Sequence, residues 1–349
     1  MSPARPSVPL SAAVSRSVDV PFISVIVPTF NRADIVEITL DHLLAQDYPG
    51  DRFEILVVDN SSDSTPAMVE RVAAGARADI RLVRLEERLP AVKRNRGLEL
   101  ARGDLALFIN DDVWFVPETF AEHARSHAAH DAPVAVLGHV YQSPRMPATP
   151  FVERYEPFAY GEIADRADRT VAWRYHWSMN LSVPRQVMLD RNLVFHEDWA
   201  NIGHEDVELG YRWSRAGYDI VYNPRATGEH YHPHTVASAR RLQESVGRGL
   251  RDLEVLIPEP GLHERYGILR SSNSPRSIAR GLVREALFNG YTAPRIAQWL
   301  DARGEGSALQ DWLYWKVLLQ ATNHGYRTAP ARTPRPVATT APHPIEVPA

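Results

Sequence analysis

The chain contains no cysteine. That excludes a disulfide framework, thiolate zinc sites, iron–sulfur clusters and a cysteine nucleophile. Lysine occurs only at Lys93 and Lys316, so nearly all of the 39 basic residues are arginine. This bias reads as a coding preference, without functional meaning. A net charge of −4 leaves no basic excess and argues against nucleic acid as a partner. Glycine-rich phosphate loops are missing: neither G-x-G-x-x-G after a strand nor G-x-x-x-x-G-K-[ST] occurs, which disfavours nicotinamide and P-loop chemistry. Long apolar runs are missing as well. Phe22–Val27 and Leu105–Ile109 have strand length, far short of the roughly 20 residues that span a bilayer. The first 20 residues lack the apolar segment of a signal peptide. These absences lead to the expectation of a cytoplasmic, soluble protein without a transmembrane segment. Peripheral contact with the inner face of the membrane through an arginine-rich surface stays open.

What is present is an ordinary globular composition, 44% apolar and 23% charged over 349 residues. That is enough for one large α/β domain with additions, or for two domains. Residues 1–20 and 328–349 are rich in Pro, Ala, Ser and Thr without period, and are expected to be disordered. Between them, short apolar strands at Phe22–Val27, Phe53–Val58, Ile80–Leu85, Leu105–Ile109 and Val134–Tyr141 alternate with helical patterns at Ala33–Gln46, Thr65–Ala76, Ala91–Ala101 and Pro117–His130. Strands this uniformly apolar imply a mostly parallel central sheet covered by helices on both faces. Ligands in such sheets sit at the carboxyl ends of the strands, where the polar clusters Pro28–Arg32, Asp59–Asp63 and Asn110–Asp112 fall. Further on, Trp173–Val183 reads as extended and Glu205–Ala216 as helical. Tyr218–Tyr222 reads as a strand followed by a histidine-rich loop, and residues 236–256 and 275–320 as largely helical.

Three clusters carry chemistry, each with a plainer alternative. Asn110-Asp111-Asp112 closes a buried strand. Adjacent carboxylates repel, and a hard divalent cation such as Mg²⁺ or Mn²⁺ relieves both. The alternative is a turn before the next helix. Glu205-Asp206 opens a helix, where the dipole alone favours acids. It is either a cap or a general base. His230, His232 and His234 alternate in one loop. They are metal ligands or surface residues, and with the Glu-Asp pair they would also suit a zinc hydrolase. Lys93 and Arg94, just before the acidic strand, could meet phosphate or simply form a solvated helix face.

Taken together, SVIVPTFNR (Ser24–Arg32), ILVVDNSSD (Ile55–Asp63), KRNRGLELARGDLALFINDD (Lys93–Asp112), NLSVPR (Asn180–Arg185), FHED (Phe195–Asp198) and GHEDVELGYRWSRAGYDIVYNP (Gly203–Pro224) resemble family 2 glycosyltransferases of the GT-A fold. The resemblance covers about residues 22–235 and implies a GT-A domain at 21–235. Its nucleotide and metal half would be 21–142 and its acceptor half 143–235, followed by a helical extension at 236–327. It implies a metal-dependent inverting transferase that takes a nucleotide-diphosphate sugar, most often UDP- or TDP-linked, to a glycan, lipid-linked or small-molecule acceptor.

The resemblance also assigns roles. Pro28, Thr29, Phe30, Asn31 and Arg32 would surround the base, and Asp59 would accept its N–H. Arg94 would meet the diphosphate, and Asp111 the ribose, sugar or metal. Asp112 and His230 would hold Mn²⁺ or Mg²⁺. Asp206 would be the catalytic base, with Glu205 as the other candidate. Trp177, Asn180 and Trp199 would face the acceptor, with Trp213 in the core. Asn110 stands where the family often has Asp, and Asn60 where a second Asp is frequent. The rivals are a metal-dependent hydrolase and an inactive nucleotide-sugar-binding module. The extension would shape the acceptor site or mediate a homodimer.

Overall fold

In the computed structural model, residues 20–330 are described apart from 156–157, 200–202, 260–261, 263–282, 284–285 and 305. Residues 1–19 and 331–349 of the terminal segments expected to be disordered, and part of the 275–320 helical reading, therefore fall outside the described residues; Thr328 is the last residue of a helix.

The apolar strands form the centre of the molecule. β1 (Ile23–Thr29), β2 (Phe53–Asp59) and β4 (Leu105–Ile109) are buried along almost their whole length, as strands covered on both faces must be. Helices α1 (Ala33–Leu44), α2 (Thr65–Gly75) and α3 (Pro90–Leu100) connect them and β3 (Asp79–Arg84) into a parallel array ordered β3-β2-β1-β4. α3 lies unusually close to β1. A Cβ on Gly97 would come within 2.4 Å of Ile26 Cγ2, so only glycine permits this approach.

Beyond β4 the sheet changes character. After β5 (Val113–Phe115), α4 (Thr119–Ala128) and β6 (Val134–Gln142), β7 (Arg169–Val171) and β8 (Asn180–Pro184) precede α5 (Arg185–Asp190) and α6 (Glu205–Arg215). β8 pairs antiparallel with both β4 and β6, and β6 runs parallel to the long β9 (Asp219–His230). β5 and β7 pair antiparallel with β9. Two sequence readings are corrected here. Trp173–Val183 is not one extended segment: Trp173–Tyr175 forms a helical turn, and the strand starts only at Asn180. The strand starting near Tyr218 does not stop at Tyr222. It continues to His230, with a register shift opposite Gly138 and His139 that accommodates Pro224.

The C-terminal extension is helical. α7 (Val236–Leu256) starts at a capping box in which Thr235 and Ser238 satisfy each other's backbone N–H. α8 (Thr292–Asp301) and α9 (Ala308–Thr328) pack against it. α7 and α9 meet backbone to backbone: a Cβ on Gly247 would fall 2.0 Å from Thr322 O, and one on Gly325 1.9 Å from Glu244 O. Phe151 and Tyr155, from the loop after β6, share an apolar cluster with Val236, Leu300, Tyr314 and Val317 of these helices. The extension thus buttresses a loop of the preceding sheet domain.

Candidate active site

The parallel strands deliver their polar ends to one edge. At the end of β1, Thr29 Oγ1 donates to Asp111 Oδ2 (2.7 Å). Arg32 Nη1 donates to Asp111 Oδ1 (2.8 Å) and to Asp112 Oδ2 (2.9 Å), so one guanidinium bridges both acids. Asn31 adopts φ 51°, a left-handed conformation that Asn tolerates. In that pose it receives Ser62 N at its side-chain oxygen and gives its own N–H to Ser61 Oγ. Phe30 is 41% exposed, with Arg88 and Lys93 5.5 and 5.9 Å from its ring centroid.

Asp59 ends β2 fully buried. Its Oδ1 accepts from the N–H and hydroxyl of Ser61, and its Oδ2 pairs with Arg84. The sequence reading missed Arg84, although parallel register places it beside Asp59. Lys93 donates to Thr29 O and Asn60 Oδ1, both at 2.6 Å. Burial lowers its pKa to about 8 against the opposing pull of Asp59 and Asp111.

The metal-type cluster is assembled by sheet pairing. Val113 on β5 lies opposite His230 on β9, and Tyr231 N donates to Asp112 O at 2.8 Å. Asp112 is thereby brought to His230 Nε2 (3.3 Å from Oδ1) and His232 Nδ1 (2.7 Å from Oδ2). Among the described residues, these three form a group with ligand atoms all within 4.8 Å of one another. Asp112 Oδ1 is buried and makes no hydrogen bond in the protein. A buried carboxylate oxygen free of hydrogen bonds and faced by an imidazole fits a cation. Burial pushes Asp112 upward, but His230, His232 and Arg32 outweigh it and hold the carboxyl well below its usual range. Asp111 moves the other way, to about 6, through burial first and then the charge of Asp112.

The second acidic pair opens α6. Glu205 is buried against Arg94 (2.9 Å), which also reaches Asn110 Oδ1 (3.2 Å), and it accepts Gly203 N. Among the described residues, Asp206, half-buried, accepts from neutral donors only: Ser178 N (3.1 Å), Ser178 Oγ (3.4 Å) and Val207 N (2.8 Å). Its pKa rises to about 6, by burial and then by the charge of Glu205.

Beside the histidine cluster lies a group of aromatic residues. Trp177, next to Ser178, stands 5.4 Å from Phe158 and 4.9 Å from Tyr160, and Phe158 stands 6.1 Å from His230. A cavity of about 340 Å³ opens here, between His230, His232 and His234 on one side and Tyr155, Phe158 and Tyr160 on the other. The sequence reading missed the segment carrying these aromatics, which has no periodicity to mark it.

Two acceptor candidates are not at this surface. Trp199 is 2% exposed and packs with Val207, Leu250 and Leu253, its indole N–H donating to Gly203 O. Asn180 is fully buried, donating to Ala226 O and bonded to His123. Both are core residues, as Trp213 was expected to be and is.

Residues 24–191 match the model of glycosyl transferase family 2. This segment is a family 2 glycosyltransferase domain. Over 267 residues the chain is 29% identical to validoxylamine A glucosyltransferase of Streptomyces hygroscopicus subsp. jinggangensis, covering 69% of this chain and 63% of that relative's length. The fold resembles that of a mannosyltransferase from Pyrobaculum calidifontis, solved with GDP-Man and Mn²⁺ (TM-score 0.61, 21% identity, 88% of this chain and 87% of that one). It also resembles S. aureus TarS 1–349 (TM-score 0.50, 17% identity, 87% and 89%). The family 2 domain therefore has the GT-A arrangement expected from its motifs: an α/β domain whose mostly parallel sheet is flanked by helices.

Proposed function

We propose that the chain is a metal-dependent, inverting glycosyltransferase that moves a sugar from a nucleotide-diphosphate sugar, most often UDP- or TDP-linked, to an acceptor hydroxyl. The observation that carries the proposal is Arg94, which ties Glu205 of one acid pair to Asn110 beside the other, next to the Asp112–His230–His232 cluster. Asp112, His230 and His232 would hold the cation, and their mixed carboxylate–imidazole set favours Mn²⁺ over Mg²⁺. When bound, that ion would offset the charge gathering on the departing diphosphate.

The chain's own residues supply the rest. Phe30 presents an open ring to a base, with Pro28, Thr29 and Asn31 beside it, and Asp59 is the acceptor for a base N–H. Arg94, which reaches Asn110, and Lys93, which reaches Asn60, would meet the diphosphate, while Asp111 and Arg32 would border the ribose and sugar. An acceptor hydroxyl is a weak nucleophile, and a carboxylate within reach removes its proton as the new C–O bond forms. Asp206 suits this role better than Glu205, because Glu205 is committed to Arg94. Attack of the acceptor oxygen on the anomeric carbon from the face opposite the leaving diphosphate, whose C–O bond breaks as the new one forms, inverts the anomeric centre. Trp177, Tyr155 and Phe158 offer ring faces to an acceptor sugar. The likeness to a glucosyltransferase supports a hexose donor.

Calorimetry with UDP, TDP, GDP and CDP, each with and without Mn²⁺, tests the reading. Metal-dependent binding of one diphosphate is expected. Tight zinc binding with no nucleotide affinity would replace it by a hydrolase, and nucleotide affinity without turnover by an inactive binding module.

A further inference from the structure

Of the eleven large apolar side chains that stand exposed among the described residues, seven lie between residues 283 and 315. They include Leu287 (55%), Tyr291 (67%), Leu309 (61%) and Trp315 (74%). Trp312 contacts Phe288 with ring centroids 5.6 Å apart, which joins the stripe on α9 to the turn before α8. Single exposed apolar residues are ordinary, but such a concentration marks an interaction surface.

The charges on this face have a pattern. Arg295 lies over Tyr291 (3.5 Å to the centroid), Arg303 over Trp299 (4.5 Å) and Lys316 over Trp312 (5.5 Å). The described acids of the same helices are engaged elsewhere. Asp301 accepts the first N–H groups of α7, and Asp311 pairs with Arg154 at 2.5 Å. The surface is therefore aromatic and cationic, with its described acids committed to other partners.

We propose that this face of α8 and α9 docks the protein on an anionic lipid bilayer. Rings of Trp and Tyr settle at the headgroup level while Lys and Arg reach the lipid phosphates. No helix among the described residues is long and apolar enough to cross a membrane, so the contact is peripheral. A second copy of the chain fits less well. A two-fold contact would set this patch against itself and bring cations against cations. The proposal is independent of the transferase reading, because it uses no residue of the acid clusters.

The test is co-sedimentation of the full chain with phosphatidylcholine vesicles and with phosphatidylcholine–phosphatidylglycerol vesicles, at low and high salt. Binding to the anionic vesicles at low salt is expected, with a blue shift of tryptophan fluorescence and weakening at high salt. Arg295→Glu or Lys316→Glu should each weaken it at least about fivefold. Trp315→Ala should weaken it too, with an unchanged melting temperature showing that the fold is intact. The proposal is overturned if neither vesicle binds, or if the variants bind like the parent chain. It is also overturned if sedimentation equilibrium shows a dimer that Trp315→Glu splits, which would make the face a contact between copies.

Discussion

Asp111–Asp112 and Glu205–Asp206 are both adjacent carboxylates, linked through Arg94 and Asn110, yet their surroundings sort them differently. In the first pair, Arg32 bridges both members, and two histidines add to Asp112 alone. In the second, Arg94 takes Glu205 and leaves Asp206 to neutral donors. Arginine and histidine partners are more numerous on one acid of each pair, and the other is left closer to protonation. A carboxyl crowded by imidazoles is suited to a cation. A carboxyl poised near pH 6 and held only by N–H and O–H groups is suited to exchange protons.

The largest effect that could break this contrast is expected at Asp206. Asp206→Asn should lower transfer by about 10³-fold and leave nucleotide binding by calorimetry nearly unchanged. If Glu205→Gln is the more damaging change while Asp206→Asn is mild, the roles within the pair are reversed. Next, Asp112→Ala should weaken Mn²⁺-dependent nucleotide binding by at least the roughly 10–100-fold that even outer-sphere partners of a metal cost. His230→Ala and His232→Ala should each weaken it less. An unchanged Mn²⁺ titration for His232→Ala would reduce the cluster to two ligands.

A pH profile sharpens the comparison further. The pKa of Asp206 is raised to about 6 from the ordinary carboxylate range, and in its proposed role as base the ionised form is the active one. The rate should therefore fall about tenfold per unit below pH 6 and level off above it. Glu205→Gln removes a neighbouring negative charge and releases Arg94, both of which favour ionised Asp206. The limb should thus move to lower pH, and a move to higher pH would contradict the charge assignment. The smallest effect belongs to the pocket's support. Arg154 and Asp311 are both partly exposed, so Asp311→Asn should cost about 1 kcal/mol or less in a melting experiment. It should still raise the acceptor KM a few-fold if α9 positions the cavity wall.

The parallel half was legible in the sequence because strands buried on both faces leave an unbroken apolar run, as β1, β2 and β4 do. The polar residues ending those runs could be placed at one edge without further information. The second half was less legible. The strand read at Tyr218–Tyr222 runs on past Pro224 to His230 only through the register shift opposite Gly138 and His139. Trp199 and Asn180 lie in segments that resemble acceptor-side motifs, but their burial depends on α7 and on β6, elements distant in sequence. Arg84 and the aromatics at 155–160 reach the site only through tertiary packing. Composition gave no hint of them.

The β5–β9 pairing has a consequence for how the protein matures. Asp112 and His230 meet only when Val113 sits opposite His230, and a slip of one residue would turn the histidine to the other face of the sheet. A misregistered chain can be compact and still lack the cation seat. A ligand that binds only the correctly registered chain shifts the folding equilibrium toward it, by about 2.7 kcal/mol at a hundred times its dissociation constant. The cation would thus act as a proofreader of strand register, rewarding the one alignment in which the enzyme can work.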